Sequence, residues 1–312
     1  MNALLFPGQG SQIVGMGKEF YNNFDKVKQI FNYADQRLNF PISKIILEGP
    51  ENDLQLTKNT QPAILTVSYS IFKVLKEEFN MDLNIFKYFA GHSLGEYSAL
   101  VCSEALDFQD ALYLLHERGK AMQEAVPVGQ GGMIAVLGIK VDELKKIIKS
   151  FDNKKICEIA NDNAEGQIIL SGEKNIIDFA QKNLKEKKIK SIPLKVSAPF
   201  HCSLMKPAAD VMKEKIKSIN FRRPNVEIIN NVTAKVENNV EKIKDLLVQQ
   251  IFSTVRWRET LIYISKAKVK NFIEIGPGKA LTGMVKRTIK DVNSFSINSI
   301  ADIKNLNNEF KK

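Results

Sequence analysis

The sequence predicts an α/β protein: a large unit on a parallel sheet, with a small βαββαβ unit inserted into it. Three observations carry this expectation. Over the first 125 residues, short apolar runs alternate with helical periodicity, which favours a parallel sheet covered by helices. A glycine-rich segment near 126–132 then breaks the rhythm, and roughly 65 residues follow in the βαββαβ order of the ferredoxin-like pattern. The α/β rhythm resumes from about Ser197. A chain of 312 residues suits two units at roughly 100–200 residues per domain.

Ala3–Phe6 is an apolar run that stops at Pro7-Gly8-Gln9-Gly10, so it reads as a buried strand entering a tight loop. Residues 18–38 carry helical periodicity. A longer helix is expected over Thr60–Phe79, with Pro62 near its start, where proline is tolerated. Ile85–Ala90 reads as a strand that passes through Gly91-His92-Ser93-Leu94-Gly95 into a helix ending near Cys102. Asp107–Glu124 is the next helix and Val126–Gly132 a linker. The inserted unit reads as strand Met133–Ile139, helix Val141–Phe151, strands Ile156–Asn161 and Gln167–Ser171, helix Ile176–Lys185 and strand Ile189–Val196. In the returning part, Val226–Asn230 and Asn271–Ile275 are expected strands. Val240–Phe252, Arg258–Ala267 and Leu281–Ile289 are expected helices. The tail after Asn305 is rich in Asn and Lys and reads as frayed. The large unit is thus 1–127 with 197–312, and the small one 128–196.

Composition narrows the function. Hydrophobic residues make up 44% and charged residues 26%, an ordinary globular balance that excludes disorder and collagen-like structure. The longest run without a charged side chain, Met1–Gly17, contains four glycines and a proline, so it is no membrane span. It also lacks the basic start and cleavage site of a signal peptide, and the cytoplasm is the expected location. Three cysteines, Cys102, Cys157 and Cys202, are odd in number and show no C-x-x-C spacing, which argues against a disulfide framework and a structural zinc site. The net charge is +10, and 38 of the 45 basic residues are lysine. Nucleic-acid binders lean on arginine interleaved with aromatics, a pattern not seen here. Residues 1–125 carry 11 basic and 15 acidic side chains, so the excess of +14 lies in residues 126–312. Either it is lysine spread over solvated faces, or it marks a surface for an acidic macromolecule.

The strongest local signal is Gly91-His92-Ser93-Leu94-Gly95. G-x-S-x-G between a strand and a helix is the pattern of a nucleophile elbow, whose glycines permit a strained turn that exposes the serine at a helix N-terminus. The plain alternative is a glycine-rich turn. A serine hydroxyl is a weak nucleophile and needs a base. The chain has three histidines. His92 adjoins the serine and should point elsewhere, and His116 lies mid-helix, where packing accounts for it. Position and elimination leave His201, in Ser197-Ala198-Pro199-Phe200-His201, against the alternative of a structural loop histidine. Backbone donors are needed for the oxyanion. The amide of Leu94 is one, and the loop Pro7–Gln12 suits a second. That loop is no dinucleotide fingerprint, because Ile13 stands where the third glycine belongs. Arg118, one of seven arginines, has a planar fork suited to a carboxylate, with a surface ion pair as the alternative. Cys202 reads as a bystander thiol. Asn161-Asp162-Asn163 reads as a turn, since the glycine and distal glutamate of a calcium loop are missing.

Taken together, these residues resemble the malonyl-CoA:acyl carrier protein transacylases. The resemblance rests on six ordered blocks spanning residues 3–290: Phe6–Gln12, Gly91–Glu96, Arg118–Gln123, Ser197–His201, Asn230–Ala234 and Glu274–Gly278. It implies an α/β-hydrolase-like large unit and a site in the groove against the small one. It implies Ser93 as nucleophile and His201 as base, with the backbone carbonyl of Gln250 orienting the histidine. Gln9 and Leu94 would give the oxyanion amides, Arg118 would pair with the malonyl carboxylate, and Phe200 would crowd an α-methyl group. No metal or redox cofactor is implied. The substrates would be malonyl-CoA and holo acyl carrier protein, the latter acidic and suited to the basic part, where Lys187, Lys188, Lys190, Lys286 and Arg287 are candidates. Neither nucleic acid nor membrane is an expected partner, and a monomer is expected. The competing enzyme is a serine hydrolase such as a thioesterase, with water as acceptor. The competing non-enzyme is a silent scaffold.

Overall fold

In the computed structural model, which describes residues 1–151 and 154–310, the described strands are β1 (Asn2–Phe6), β2 (Phe86–Gly91), β3 (Gly131–Leu137), β4 (Cys157–Ala164), β5 (Gln167–Glu173), β6 (Lys190–Pro193), β7 (Glu227–Ile229), β8 (Asn271–Ile275) and β9 (Asn293–Ile297). They form two sheets. One is parallel, in the order β7-β2-β1-β8-β9, and the other antiparallel, in the order β4-β5-β3-β6.

β1 lies centrally, and all five of its residues are buried, as expected of a parallel strand covered on both faces. Its side chains alternate between two cores with the period of two that a strand imposes. Leu4 and Phe6 enter the core under the helices Thr57–Glu77 and Phe108–Glu124, while Ala3 and Leu5 meet Trp257, Leu261, Phe272 and Leu281 on the other face. The helices Val141–Lys149 and Lys174–Glu186 cover one face of the antiparallel sheet. Met133, Ala160 and Ile169 turn the opposite way and join the large core.

β4 is tied by main-chain bonds to the segment just before the helix Trp257–Lys266. Val255 N–H donates to the Ala160 carbonyl (2.8 Å) and Asp162 N–H to the Val255 carbonyl (3.0 Å). Beside them Arg258 Nη2 pairs with Asp162 at 2.9 Å.

Several expectations need correction. The helix expected from Thr60 begins at Thr57, so Pro62 lies inside it. Proline lacks the N–H that would satisfy the Lys58 carbonyl four residues back. His116 Nδ1 takes that carbonyl at 3.0 Å, which accounts for His116 by packing. The periodicity of 18–38 resolves into Lys18–Asn23 and Asp25–Leu38, parted by Phe24 in an extended conformation. β3 starts at Gly131, inside the expected linker, where a Cβ would strike the ring of Pro199. Asn161-Asp162-Asn163 is strand, in β4, rather than a turn. The tail is not frayed through Phe310: Ile300–Phe310 is a helix, with Ile303 and Leu306 buried in the large core. Its last residues, Lys311 and Lys312, lie outside the described residues. β9 and the helix Lys206–Ser218 were not expected at all.

Candidate active site

Ser93 stands between β2 and the helix Gly95–Cys102 with φ 54°. A non-glycine residue in the left-handed region is strained and persists only where its surroundings hold it. Here the surroundings are specific. A Cβ on Gly91 would collide with the backbone of Gly95 and Glu96, and one on Gly95 with the carbonyls of Phe6 and Pro7. Asn231 spans the turn: its Oδ1 accepts from Ser93 N–H (2.7 Å) and its Nδ2 donates to the Gly91 carbonyl (2.7 Å).

Ser93 Oγ lies 2.8 Å from His201 Nε2, and His201 Nδ1 lies 2.8 Å from the Gln250 carbonyl oxygen. A carbonyl only accepts, so Nδ1 carries the ring hydrogen and Nε2 turns its lone pair to the serine O–H. Burial, reinforced by the Arg118 charge, pushes the His201 pKa down to about 3. The ring is therefore neutral near pH 7, the form a base requires. His201 is itself left-handed, with φ 57°, and follows Phe200, a buried side chain on the cavity wall.

Arg118 is 1% exposed. Its Nη1 donates to Gln61 Oε1 (2.8 Å), and its Nη2 donates to Gln250 Oε1 (2.8 Å) and Ser93 Oγ (3.3 Å). Its Nε has no partner, and no ion pair forms on the guanidinium among the described residues. Two neutral amides therefore hold a buried cation beside the serine. The carboxylate of the group is Glu96, whose Oε2 accepts from Asn231 N–H (3.0 Å) and Gln250 Nε2 (2.7 Å). Burial pushes its pKa up to about 7, against the opposing pull of those bonds and of Arg118.

A cavity of about 220 Å³ opens onto Ser93 and His201 between the two sheets. The loop Gly8–Ser11 forms one wall, and Met133, Asn161 and Ile169 of the small sheet another. The Gln9 and Leu94 backbone N–H groups have no acceptor among the described residues. His92 reaches the same cavity but bonds elsewhere, with Nε2 2.8 Å from Asn163 Oδ1. Cys202 is fully buried, its Sγ donates to the Pro199 carbonyl (3.1 Å), and burial pushes its thiol up to about 11. Among the described residues no group of three or more His, Cys, Asp or Glu is placed to hold a metal ion, and no helix is long and apolar enough to cross a membrane.

The structure thus brings Gln9, Ser93, Leu94, Arg118, Phe200, His201 and Gln250 into one neighbourhood. Sequence reasoning did not single out Gln61 or the side chain of Gln250; Asn163 entered only in a run read as a turn, and Glu96 and Asn231 only as members of motif blocks. Only burial distinguishes such amides from surface polar residues, and burial is decided by the tertiary fold.

An acyl-transfer class is what this fold and site define. The family model described as acyl transferase domain matches residues 3–311, and the chain belongs to that family. Among named relatives, it is 42% identical over 298 residues to malonyl CoA-acyl carrier protein transacylase of Bacillus subtilis (strain 168), covering 95% of this chain and 92% of that protein. The crystal structure of acyl-carrier-protein-S-malonyltransferase from Bartonella henselae superposes with a TM-score of 0.96 at 40% identity, over 100% of this chain and 99% of that one. A malonyl-transacylase solved in complex with its type II PKS acyl-carrier protein superposes with a TM-score of 0.93 at 39% identity, over 97% of both chains.

Proposed function

We propose that the chain transfers a malonyl group from malonyl-CoA to the phosphopantetheine thiol of acyl carrier protein, through a malonyl ester on Ser93, for fatty acid synthesis. The observation that carries this reading is the convergence on one atom: Ser93 Oγ has His201 Nε2 at 2.8 Å and Arg118 Nη2 at 3.3 Å. A base and a carboxylate receptor at one nucleophile suit an acyl group that carries its own anion. The naming of the relatives supports the substrate pair.

In the first half-reaction Ser93 Oγ attacks the thioester carbonyl carbon and its proton passes to His201 Nε2. The Gln250 carbonyl steadies the imidazolium through Nδ1–H. The amides of Gln9 and Leu94 receive the developing oxyanion, a contribution worth about 3–4 kcal/mol per donor in comparable sites. The C–S bond then breaks, and CoA leaves as thiol with the proton from Nε2. In the second half the carrier thiol gives its proton to Nε2, its sulfur attacks the ester carbonyl, and the C–Oγ bond breaks as Ser93 regains a proton. A thioester is already activated, so no metal or redox cofactor is required. The malonyl carboxylate exchanges a glutamine oxygen on Arg118 for a charged acceptor, the stronger kind of partner. Phe200 crowds an α-methyl substituent, worth about 1–3 kcal/mol of discrimination.

We read residues 1–127 with 197–312 as an α/β-hydrolase-like unit and 128–196 as a ferredoxin-like one, in keeping with its element order and sheet order. The exposed Lys187, Lys188, Lys190, Lys286 and Arg287 suit an acidic carrier. We further read the chain as a cytoplasmic monomer. Intact-protein mass after brief mixing with malonyl-CoA tests the reaction. A malonyl increment is expected on the wild type, absent in Ser93→Ala and at least ten-fold slower in Arg118→Ala, and carrier protein should clear it. Free malonate accumulating without an increment would point instead to a hydrolase.

A further inference from the structure

Behind the serine and histidine lies a layer of side chains that touch no reacting atom in the scheme above. Two of them do most of the holding. Asn231 bridges the elbow from the Gly91 carbonyl to Ser93 N–H. Gln250 sets three things: its carbonyl orients His201, its Oε1 holds Arg118, and its Nε2 donates to the Ser93 carbonyl at 3.0 Å. Both are anchored on one atom. Glu96 Oε2 accepts from the Asn231 backbone N–H and from Gln250 Nε2. Glu96 is 2% exposed and sits in the first turn of the elbow helix, three residues after Ser93.

Burying a carboxylate is costly, and a surface tie would not need one. An acceptor-only oxygen is nevertheless what two converging N–H donors require. Without it, the buried Asn231 N–H loses its acceptor, and Gln250 Nε2 keeps only the Ser93 carbonyl at 3.0 Å and Asn231 Oδ1 at 3.4 Å. The Gln250 side chain would then lose its shortest bond to the elbow helix, and the last residue of the helix Val240–Gln250, whose main-chain carbonyl orients His201, would be held less firmly against it.

We propose that Glu96 is a positioning residue for acyl transfer, fixing the elbow through Asn231 and the histidine through Gln250 by hydrogen-bond acceptance at Oε2. The role is one of reach and acceptance, not of net charge. Glutamine keeps an acceptor oxygen at the same distance from the backbone. Aspartate keeps the carboxylate but falls one methylene short. Arg118 keeps its second clamp, Gln61, so substrate capture should be spared while the attack is slowed.

The proposal rests on the reading of Ser93 and His201 as nucleophile and base, and two reactions separate its failure from that of the malonyl-transfer reading. One is malonylation by malonyl-CoA, followed by intact mass. The other is labelling of Ser93 by phenylmethylsulfonyl fluoride, which needs the serine and histidine but no malonyl group. For Glu96→Gln, both rates should stay within about three-fold of wild type. For Glu96→Asp and Glu96→Ala, both should fall at least ten-fold, with the KM for malonyl-CoA within three-fold and the melting transition still cooperative. If Glu96→Ala does not fold, the Gln and Asp pair decides. A ten-fold loss in Glu96→Gln, or a wild-type labelling rate in Glu96→Asp, would overturn the proposal. A wild type that is labelled by the sulfonyl fluoride yet never malonylated would sink malonyl transfer alone, and the labelling rates would still judge Glu96.

Discussion

Residue by residue, the charges of the centre are set by burial more than by pairing. His201 is held far below the ordinary histidine value of 6.5, by burial first and by Arg118 second. An imidazole that is already neutral gives no acid limb in the usual range. Sulfonyl fluoride labelling of Ser93 should therefore show no histidine inflection between pH 5 and 8. In Arg118→Met one depressing charge is removed, so the His201 pKa rises and an acid limb moves upward; labelling rates across pH 4–8 check the direction. The same depression has a stability sign. Folded His201 and His92 resist protonation, so below about 6.5 the unfolded chain binds more protons. Their contribution is complete above that pH and fades as the pH falls. The meeting of Ser93 with His201 was legible from the sequence, since a G-x-S-x-G turn and a scarcity of histidines single the two out. Arg118 was legible as a guanidinium worth noting, but not as a cation clamped by two glutamines. Amide clamps follow no spacing rule, because Gln61 and Gln250 lie on helices far apart in the chain.

At the scale of elements, strong periodicity was read well and weak periodicity poorly. The alternation of β1 and the inserted βαββαβ order are carried by local pattern, and the described strands follow them. β9 and the last helix were missed because polar side chains hold more than half of their positions, and only a few side chains enter the core. Those few matter. Ile303 and Leu306 are nearly or fully buried against the large core, so Leu306→Ala should cost about 2–5 kcal/mol, measured as a shift in the urea midpoint at constant slope. A truly frayed tail would register no loss. Glu274 shows how a motif block can be structural. Its carboxylate accepts from Leu281 N–H (3.1 Å) and Thr282 N–H (2.8 Å), capping the helix Ala280–Thr288 after the Gly276-Pro277-Gly278 turn.

For the molecule as a whole, the cavity exists only where two sheets face each other, so its shape depends on how firmly they are joined. The join at β4 combines main-chain bonds to Val255 with the Arg258–Asp162 pair, in which the carboxylate side chain is 5% exposed. Removing one partner of such a pair leaves a buried charge alone. Arg258→Met is expected to destabilise by about 3–5 kcal/mol, read by chemical denaturation, and to loosen the wall that Asn161 gives to the cavity.

The strand order carries one more consequence, for the chain as it is made. β1 is synthesised first, yet it lies between β2 and β8 and gains its second neighbour only when Asn271–Ile275 has emerged. Ser93, His201 and Gln250 are likewise spread over more than half of the chain. A ribosome-bound chain halted before residue 271 would hold the central strand with one edge open and its apolar faces half covered. The site's geometry and the cover of its apolar faces therefore arrive late and together, and the exposed interval before them is when a chaperone has something to hold.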